Sequence, residues 1–156
     1  MAQLICKMSA HPFAILNEGQ AISLIIRHLE TQFPKVCGTC ERRFSTLRDF
    51  IGHTAPVGDL VCYTLDGTTD GADDPMGAVA LSNCGCGSTL ALTTTGMSPA
   101  DFQTLFHWVR SESKFRGVPV EDYLQYVRQQ TRRRISLMPA TPADYRDRQR
   151  PASGQP

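Results

Sequence analysis

Two closely spaced cysteine pairs are the residues of this chain best suited to chemistry, CGTC at 37–40 and CGC at 84–86. Thiolates favour zinc and iron, and a zinc ion holds four of them tetrahedrally at about 2.3 Å. Glycines within and beside the pairs let the backbone turn sharply enough for two neighbouring sulfurs to approach one ion. The sequence therefore predicts one four-thiolate metal site, with the ligands Cys37, Cys40, Cys84 and Cys86.

The first pair begins a pattern that resembles the first three quarters of a C2H2 zinc finger. Residues 37–53 read C-x2-C-x3-F-x5-F-x2-H, with two phenylalanines at the apolar core positions of such a finger and His53 at its third ligand position. No second histidine follows at the spacing of that family, so the finger cannot close by itself. We expect the second cysteine pair to complete the shell, with His53 as the alternative ligand in place of one cysteine.

A helix after the first pair and a hairpin carrying the second pair resemble the zinc-ribbon group of folds, over residues 37–92. Zinc ribbons usually space their second pair as CxxC, whereas this chain has a CxC. A one-residue spacer requires a tighter turn, and Gly85 and Gly87 are the residues expected to permit it. The resemblance implies a small domain that a metal ion stabilises.

The same four sulfurs suit more than one metal. Zinc fits a redox-inert structural role, and a full shell of four cysteines leaves no open position for hydrolysis, which argues against an enzyme. Iron, as a single ion or an iron–sulfur cluster, can use the same ligands and would make the protein a redox or oxygen sensor. The expected function is a regulatory or binding module with structural zinc that acts through a protein or nucleic-acid partner, and the iron sensor is the alternative.

Around the cysteines, the hydrophobic patterns predict an α+β fold. Runs rich in β-branched and aromatic residues at 60–65, 77–81 and 88–94 predict a small three-stranded antiparallel sheet, with the second cysteine pair at a hairpin tip. One N-terminal helix, a short helix after the first pair and two C-terminal helices flank this sheet. The predicted signals for the start of the four helices are, in order, Asn17 with Gln20, Ser45, Ser98 and Pro119. The predicted signals for the end of the first three are Pro34, Pro56 and Gly117.

Length and composition fit one domain followed by a tail. The 156 residues are 41% hydrophobic, enough for a modest core, and residues 1–138 are expected to form a single metal-stabilised domain. The proline-bearing polar stretch 139–156 predicts a disordered tail. No apolar run is long enough to span a membrane, and clustered metal-ligand cysteines are typical of a reducing compartment, so we expect a cytoplasmic protein in which Cys6 and Cys62 are ordinary thiols.

The formal charge of +1 means that any affinity for nucleic acid must come from a local patch. Basic residues gather at the end of the last predicted helix and continue into the tail. Cations near a helix C-terminus are favoured by the dipole alone, so a purely structural role competes with phosphate binding. The predicted nucleic-acid-binding residues are Arg128, Arg132, Arg133 and Arg134.

Overall fold

The computed structural model of the protein describes residues 16–63 and 77–140. These residues form the predicted α+β fold, in which helices flank a three-stranded antiparallel sheet. The helices are α1 (Glu18–Glu30), α2 (Leu47–His53), α3 (Pro99–Arg116) and α4 (Val120–Leu137). The strands are β1 (Lys35–Val36), β2 (Arg43–Phe44), β3 (Thr54–Tyr63), β4 (Gly77–Cys84) and β5 (Thr89–Thr93).

Local signals in the sequence determine where most of the helices begin and end. Asn17 and Gln20 form the predicted capping box, in which each side chain accepts the backbone N–H of the other at 2.9 Å. Ser98 caps α3 as predicted, and Gly117 ends it in the left-handed conformation. α4 starts directly after Pro119, also as predicted.

Three helix boundaries differ from the predictions, and one of them is the end of α2, which stops at His53 before the predicted Pro56. Thr46 caps α2 instead of Ser45, because Thr46 has the extended backbone that directs its hydroxyl to the first turn. α1 ends at Glu30, before Pro34, and Thr31 closes the helix with its hydroxyl donated to a carbonyl of the last turn at 2.7 Å.

The first long strand, β3, is the main correction to the predicted fold. It begins at Thr54, directly after α2, whereas the sequence predicted a strand only from residue 60. Pro56 lies inside this strand. A proline is tolerated there because β3 is an edge strand of the sheet β3-β4-β5, and the backbone groups on its outer edge have no partner strand to bond. The register shifts between Val57 and Val61, where Gly58 takes a φ of 59°, typical of a bulge.

The other two strands fall close to their predicted positions. β4 extends to Cys84, beyond the predicted end at residue 81, and β5 lies within the predicted run 88–94. Consecutive antiparallel pairing places β4 in the centre of the sheet. The second cysteine pair therefore stands at the tip of the β4–β5 hairpin, as predicted.

The interior contains two apolar clusters that share α1. One cluster lies beneath the cysteine pairs and includes Phe50, while the other joins α3 to α4 through Trp108 and Tyr123, whose ring centroids are 5.7 Å apart. α1 contributes Ile22 to the first cluster and Ala21 to the second. Among the described residues, no helix combines the length and apolar character needed to cross a membrane.

Several predictions concern parts of the chain outside the described residues. Residues 141–156, which hold nearly all of the predicted tail, are among them, as is Cys6. The segment 64–76 between β3 and β4 is also outside the described residues. The disordered tail and the domain boundary at residue 138 therefore stay predictions.

Candidate metal centre

The first cysteine pair lies in the loop of a hairpin that the sequence analysis did not predict. β1 and β2 pair antiparallel, and the loop between them carries Cys37 and Cys40. The backbone N–H of Cys37 donates to the carbonyl of Arg42 at 2.9 Å, and the N–H of Glu41 donates to the carbonyl of Cys37 at 2.9 Å. The sequence carries no signal for this hairpin, because two-residue strands are too short for alternation to be recognised.

The second pair has the same arrangement in a shorter loop. The N–H of Cys84 donates to the carbonyl of Ser88 at 2.8 Å, and the N–H of Gly87 donates to the carbonyl of Cys84 at 2.8 Å. Each loop is thus closed by bonds to both backbone groups of its first cysteine. The second loop is one residue shorter, as its CxC spacing requires when compared with the CxxC of the first.

The sharp turn in each loop occurs at the residue after the second cysteine. Glu41 has a φ of 58° and Gly87 a φ of 92°, both in the left-handed region that favours glycine. Gly87 therefore has the role expected of it. Gly85 does not, because it lacks a positive φ and a Cβ added there would meet nothing within 4 Å, and the same holds for Gly38 in the first loop.

The two loops bring the four predicted cysteines together. All four Sγ atoms lie within 4.8 Å of one another. Two contacts join the hairpins, Cys37 to Cys86 at 3.6 Å and Cys40 to Cys84 at 3.7 Å. A tetrahedral zinc ion with bonds of about 2.3 Å separates its sulfurs by roughly 3.8 Å, whereas a disulfide requires about 2.05 Å between sulfurs. The cluster therefore has dimensions that could hold a metal ion.

The cluster lies at the surface, and the first cysteine of each pair is the buried one. Cys37 and Cys84 are 0% and 3% exposed and belong to the apolar cluster that contains Phe50. Cys40 and Cys86 are exposed. The site is thus anchored in the core on one side and borders solvent on the other.

Aromatic side chains and a hydroxyl pair support this position. Phe50 of α2 meets the rings of Phe44 and Phe33 edge to face, with centroids 5.2 Å and 5.7 Å apart. Phe44 and Phe50 are fully buried, as the finger-like pattern predicted. The hydroxyl oxygens of Ser88 and Thr39 lie 2.6 Å apart, within hydrogen-bond distance, and this contact ties the two loops together directly. Sequence analysis missed this pair, since two hydroxyls distant along the chain have no local signature.

Hydrogen bonds to the sulfurs favour thiolate at two of the four positions. The backbone N–H groups of Cys40 and Thr39 lower the pKa of Cys37. The side chain and backbone of Ser88 lower the pKa of Cys86 to about 6. One sulfur in each loop is therefore prepared to carry negative charge, which is the form that binds a metal ion.

Cys40 shows the opposite balance. The backbone N–H of Arg42 acts to lower its pKa, but hydrogen bonding with Cys86, burial, and further hydrogen bonds with Cys37 and Cys84 together raise that pKa to about 12. Adding several negative charges within a few ångströms is unfavourable, so the thiol of Cys40 keeps its proton at neutral pH. A bound cation would remove this repulsion, because its charge is the largest in such a site.

The alternative ligand His53 does not belong to the sulfur cluster. Its Nδ1 lies 2.9 Å from the carbonyl oxygen of Asp49 and 2.8 Å from the Oδ1 of the same residue. The ring thus closes the end of α2, the position where a cation is favoured by the helix dipole. Cys62 is half-buried, and burial followed by the charge of Glu121 raises the pKa of its thiol.

Three of the four arginines predicted to bind nucleic acid donate to backbone carbonyls of the protein itself. Arg128 bonds the carbonyls of Gly58 at 2.7 Å and Leu81 at 3.0 Å. Arg134 bonds the carbonyl of Gly19 at 2.9 Å, and Arg132 lies 3.5 Å from that of Ile51. These contacts fasten α4 to the sheet, α1 and α2. Arg133 is exposed.

Comparison with known proteins returned no relative. No protein-family model, no curated protein and no solved structure matches this chain.

Proposed function

We propose that the protein binds one zinc ion through four cysteines and that the zinc is structural. The observation that carries the proposal is the mutual approach of four sulfurs, within 4.8 Å of one another, from two hairpins. A full shell of thiolates leaves no position for a water nucleophile, which favours a structural over a catalytic role. The proposed ligands are Cys37, Cys40, Cys84 and Cys86.

The position of the sulfurs supports a structural role. The contacting cysteines are 49 and 44 residues apart along the chain, so an ion bound by them would close a long loop. The β1–β2 hairpin has only two residues in each strand, too few for stability without other contacts. An ion shared with the β4–β5 hairpin would hold it in place, and its binding energy would become folding energy.

A single iron ion is the second candidate, since thiolates bind both metals. An iron–sulfur cluster is less well supported, because additional iron and sulfide atoms between the thiolates need a wider ring of ligands. One ion with bonds of about 2.3 Å keeps any two ligands within roughly 4.6 Å, close to the 4.8 Å that encloses these sulfurs. The compact cluster therefore favours one ion over several.

We infer a binding or regulatory role, exercised in a reducing compartment through a protein partner in preference to nucleic acid. The preference rests on the arginines. Arg128 and Arg134 are already engaged with backbone carbonyls at 2.7 to 3.0 Å, which leaves less of the patch to follow a phosphate backbone.

Metal analysis of the full chain tests the proposal. The protein is purified without a nickel column, and its metals are counted by mass spectrometry. We expect one zinc per chain, loss of that zinc in Cys86→Ala, and retention in the matched control Cys62→Ala. Cys86 is exposed, so its truncation leaves no cavity in the core.

Three results would contradict the proposal. Protein that is purified without any bound metal would contradict the four-thiolate site. A Cys86→Ala variant that retains its zinc would contradict it as well. Visible absorption and one iron per chain in an anaerobic preparation would show that the metal is iron, and the sensor alternative would then be favoured over structural zinc. The structural role has a separate check, because chelation of the metal should abolish the β-sheet signal in circular dichroism, and an unchanged spectrum after verified metal loss would refute that role.

A further inference from the structure

The second feature able to bind a ligand is a cavity of about 120 Å³ between the sheet and the helices. Its floor is the face of β4 that carries Ala78, Ala80 and Ser82, and its walls come from α1, α3 and α4. The cavity is partly open, so it is accessible to a ligand. An engineered apolar cavity of about 150 Å³ binds benzene, so this space suits an apolar group of similar size.

The sequence of β4 explains why this space exists. Alternate residues of a strand share one face, and three successive positions on the helix-facing side of β4 are alanine, alanine and serine. The central strand of a sheet normally fills this position with branched side chains. The two apolar clusters lie on either side of the cavity. Leu92 of one cluster and Leu105 of the other are part of its lining.

The wall formed by α4 adds two arginines to a lining that is mostly apolar. Arg128 and Arg132 both line the cavity. Arg128 is held by two carbonyls, but the hydrogen bond that Arg132 makes within the described part of the chain, to the carbonyl of Ile51, is long at 3.5 Å. Burial and the neighbouring charge of Arg128 lower the pKa of Arg132. Among the described residues, no carboxylate pairs with either guanidinium.

We propose that this cavity binds a small apolar carboxylate, with its apolar group over the small side chains of β4 and its carboxylate on Arg132. A guanidinium suits this task because its parallel N–H groups bind both oxygens of a carboxylate. The carboxylate neutralises a charge that the described residues leave without an ionic partner. The apolar group fills space that water occupies poorly, because the lining offers few polar partners.

Phenylacetate is the probe that tests the proposal, with phenylacetamide as its neutral isostere. Zinc-loaded full-length protein with labelled methyl groups is titrated with each compound and followed by NMR. We expect saturable shifts of Leu92 and Leu105, and affinity about tenfold higher for phenylacetate, since a charge-assisted bond is stronger than a neutral one.

Two variants separate the parts of the site. Ala80→Leu fills the cavity and should abolish binding of both probes, and Ala78→Val serves the same purpose if the larger change prevents folding. Arg132→Met should weaken phenylacetate about tenfold and leave phenylacetamide unchanged. Arg133→Met, on the exposed side of the same helix, should affect neither.

The proposal would be overturned if neither probe caused saturable shifts. It would also be overturned if the Ala80→Leu variant still bound the probes. Equal affinity for phenylacetate and phenylacetamide would overturn the role of Arg132. The zinc content of each protein is measured alongside, so a failure at the cavity is distinguished from a failure at the cysteines.

Discussion

Arg128 provides a sharp test of whether the basic end of α4 is structural or binds nucleic acid. Its guanidinium reaches two separate parts of the sheet, the β3 bulge at Gly58 and the centre of β4 at Leu81. We expect Arg128→Met, which keeps the apolar stem of the side chain, to destabilise the fold. The matched control is Arg133→Met on the exposed side of the helix.

The size of the effect follows from the two bonds. A hydrogen bond that involves a charged group contributes about 1.5–3 kcal/mol when it is shielded and less when it is exposed. The bond to Leu81 is partly buried and the bond to Gly58 is exposed, at 3.0 Å and 2.7 Å respectively. Their joint loss should lower the free energy of unfolding by about 2 kcal/mol.

Urea denaturation of the purified full-length protein measures this loss. For a domain of this size, about 2 kcal/mol corresponds to a shift of the midpoint by about 1 M urea. Arg133→Met should leave the midpoint within error. The reasoning is refuted if Arg128→Met leaves the midpoint unchanged, and a nucleic-acid role gains support if that variant instead weakens RNA binding and reduces its salt dependence.

Three further predictions concern the core beneath the four cysteines, the cap of α1 and the chemistry of the thiols. Phe50→Ala should cost about 3–5 kcal/mol because the ring is fully buried, and thermal unfolding measures the loss. Asn17→Ala removes the capping box of α1 and should cost about 1 kcal/mol by the same assay. In metal-free protein, the thiolate of Cys86 should form with a pKa of about 6, below the ordinary 9.0, so its contribution to stability is lost as the pH falls through about 6. Thiolate absorbance during a pH titration should show this step, which Cys86→Ala removes, while Cys62 ionises above its ordinary range.

The parts of the fold that sequence analysis predicted depend on short-range signals. The capping box at Asn17 and the left-handed Gly117 need only their nearest neighbours, and both appear as predicted. The convergence of the two cysteine pairs is a long-range feature, but it was predictable because closely paired cysteines are typical ligands of zinc and iron.

The parts that were missed depend on tertiary contacts or on elements too short to have a pattern. The β1–β2 hairpin is joined to the β4–β5 hairpin by contacts between residues far apart in the chain, such as Thr39 and Ser88. Its two-residue strands are too short to show an alternating pattern of apolar residues. Pro56 stands within β3 only because that strand is at an edge. The carbonyl that Arg128 binds on Gly58 is 70 residues away, so the helix-end pattern of basic residues could not reveal its target.

The cysteine cluster and the cavity share part of the interior. Ile51 of α2 and Leu92 of β5 belong to the apolar cluster beneath the sulfurs, and both also line the cavity. An ion that fixes the β4–β5 hairpin would therefore also fix β4 and β5, which form part of the lining of the space in which we place a carboxylate. Fixing a site before its ligand arrives reduces the entropy lost on binding. A metal without an open coordination position can thus serve a binding protein, because the rigidity it gives to the fold extends to a second site.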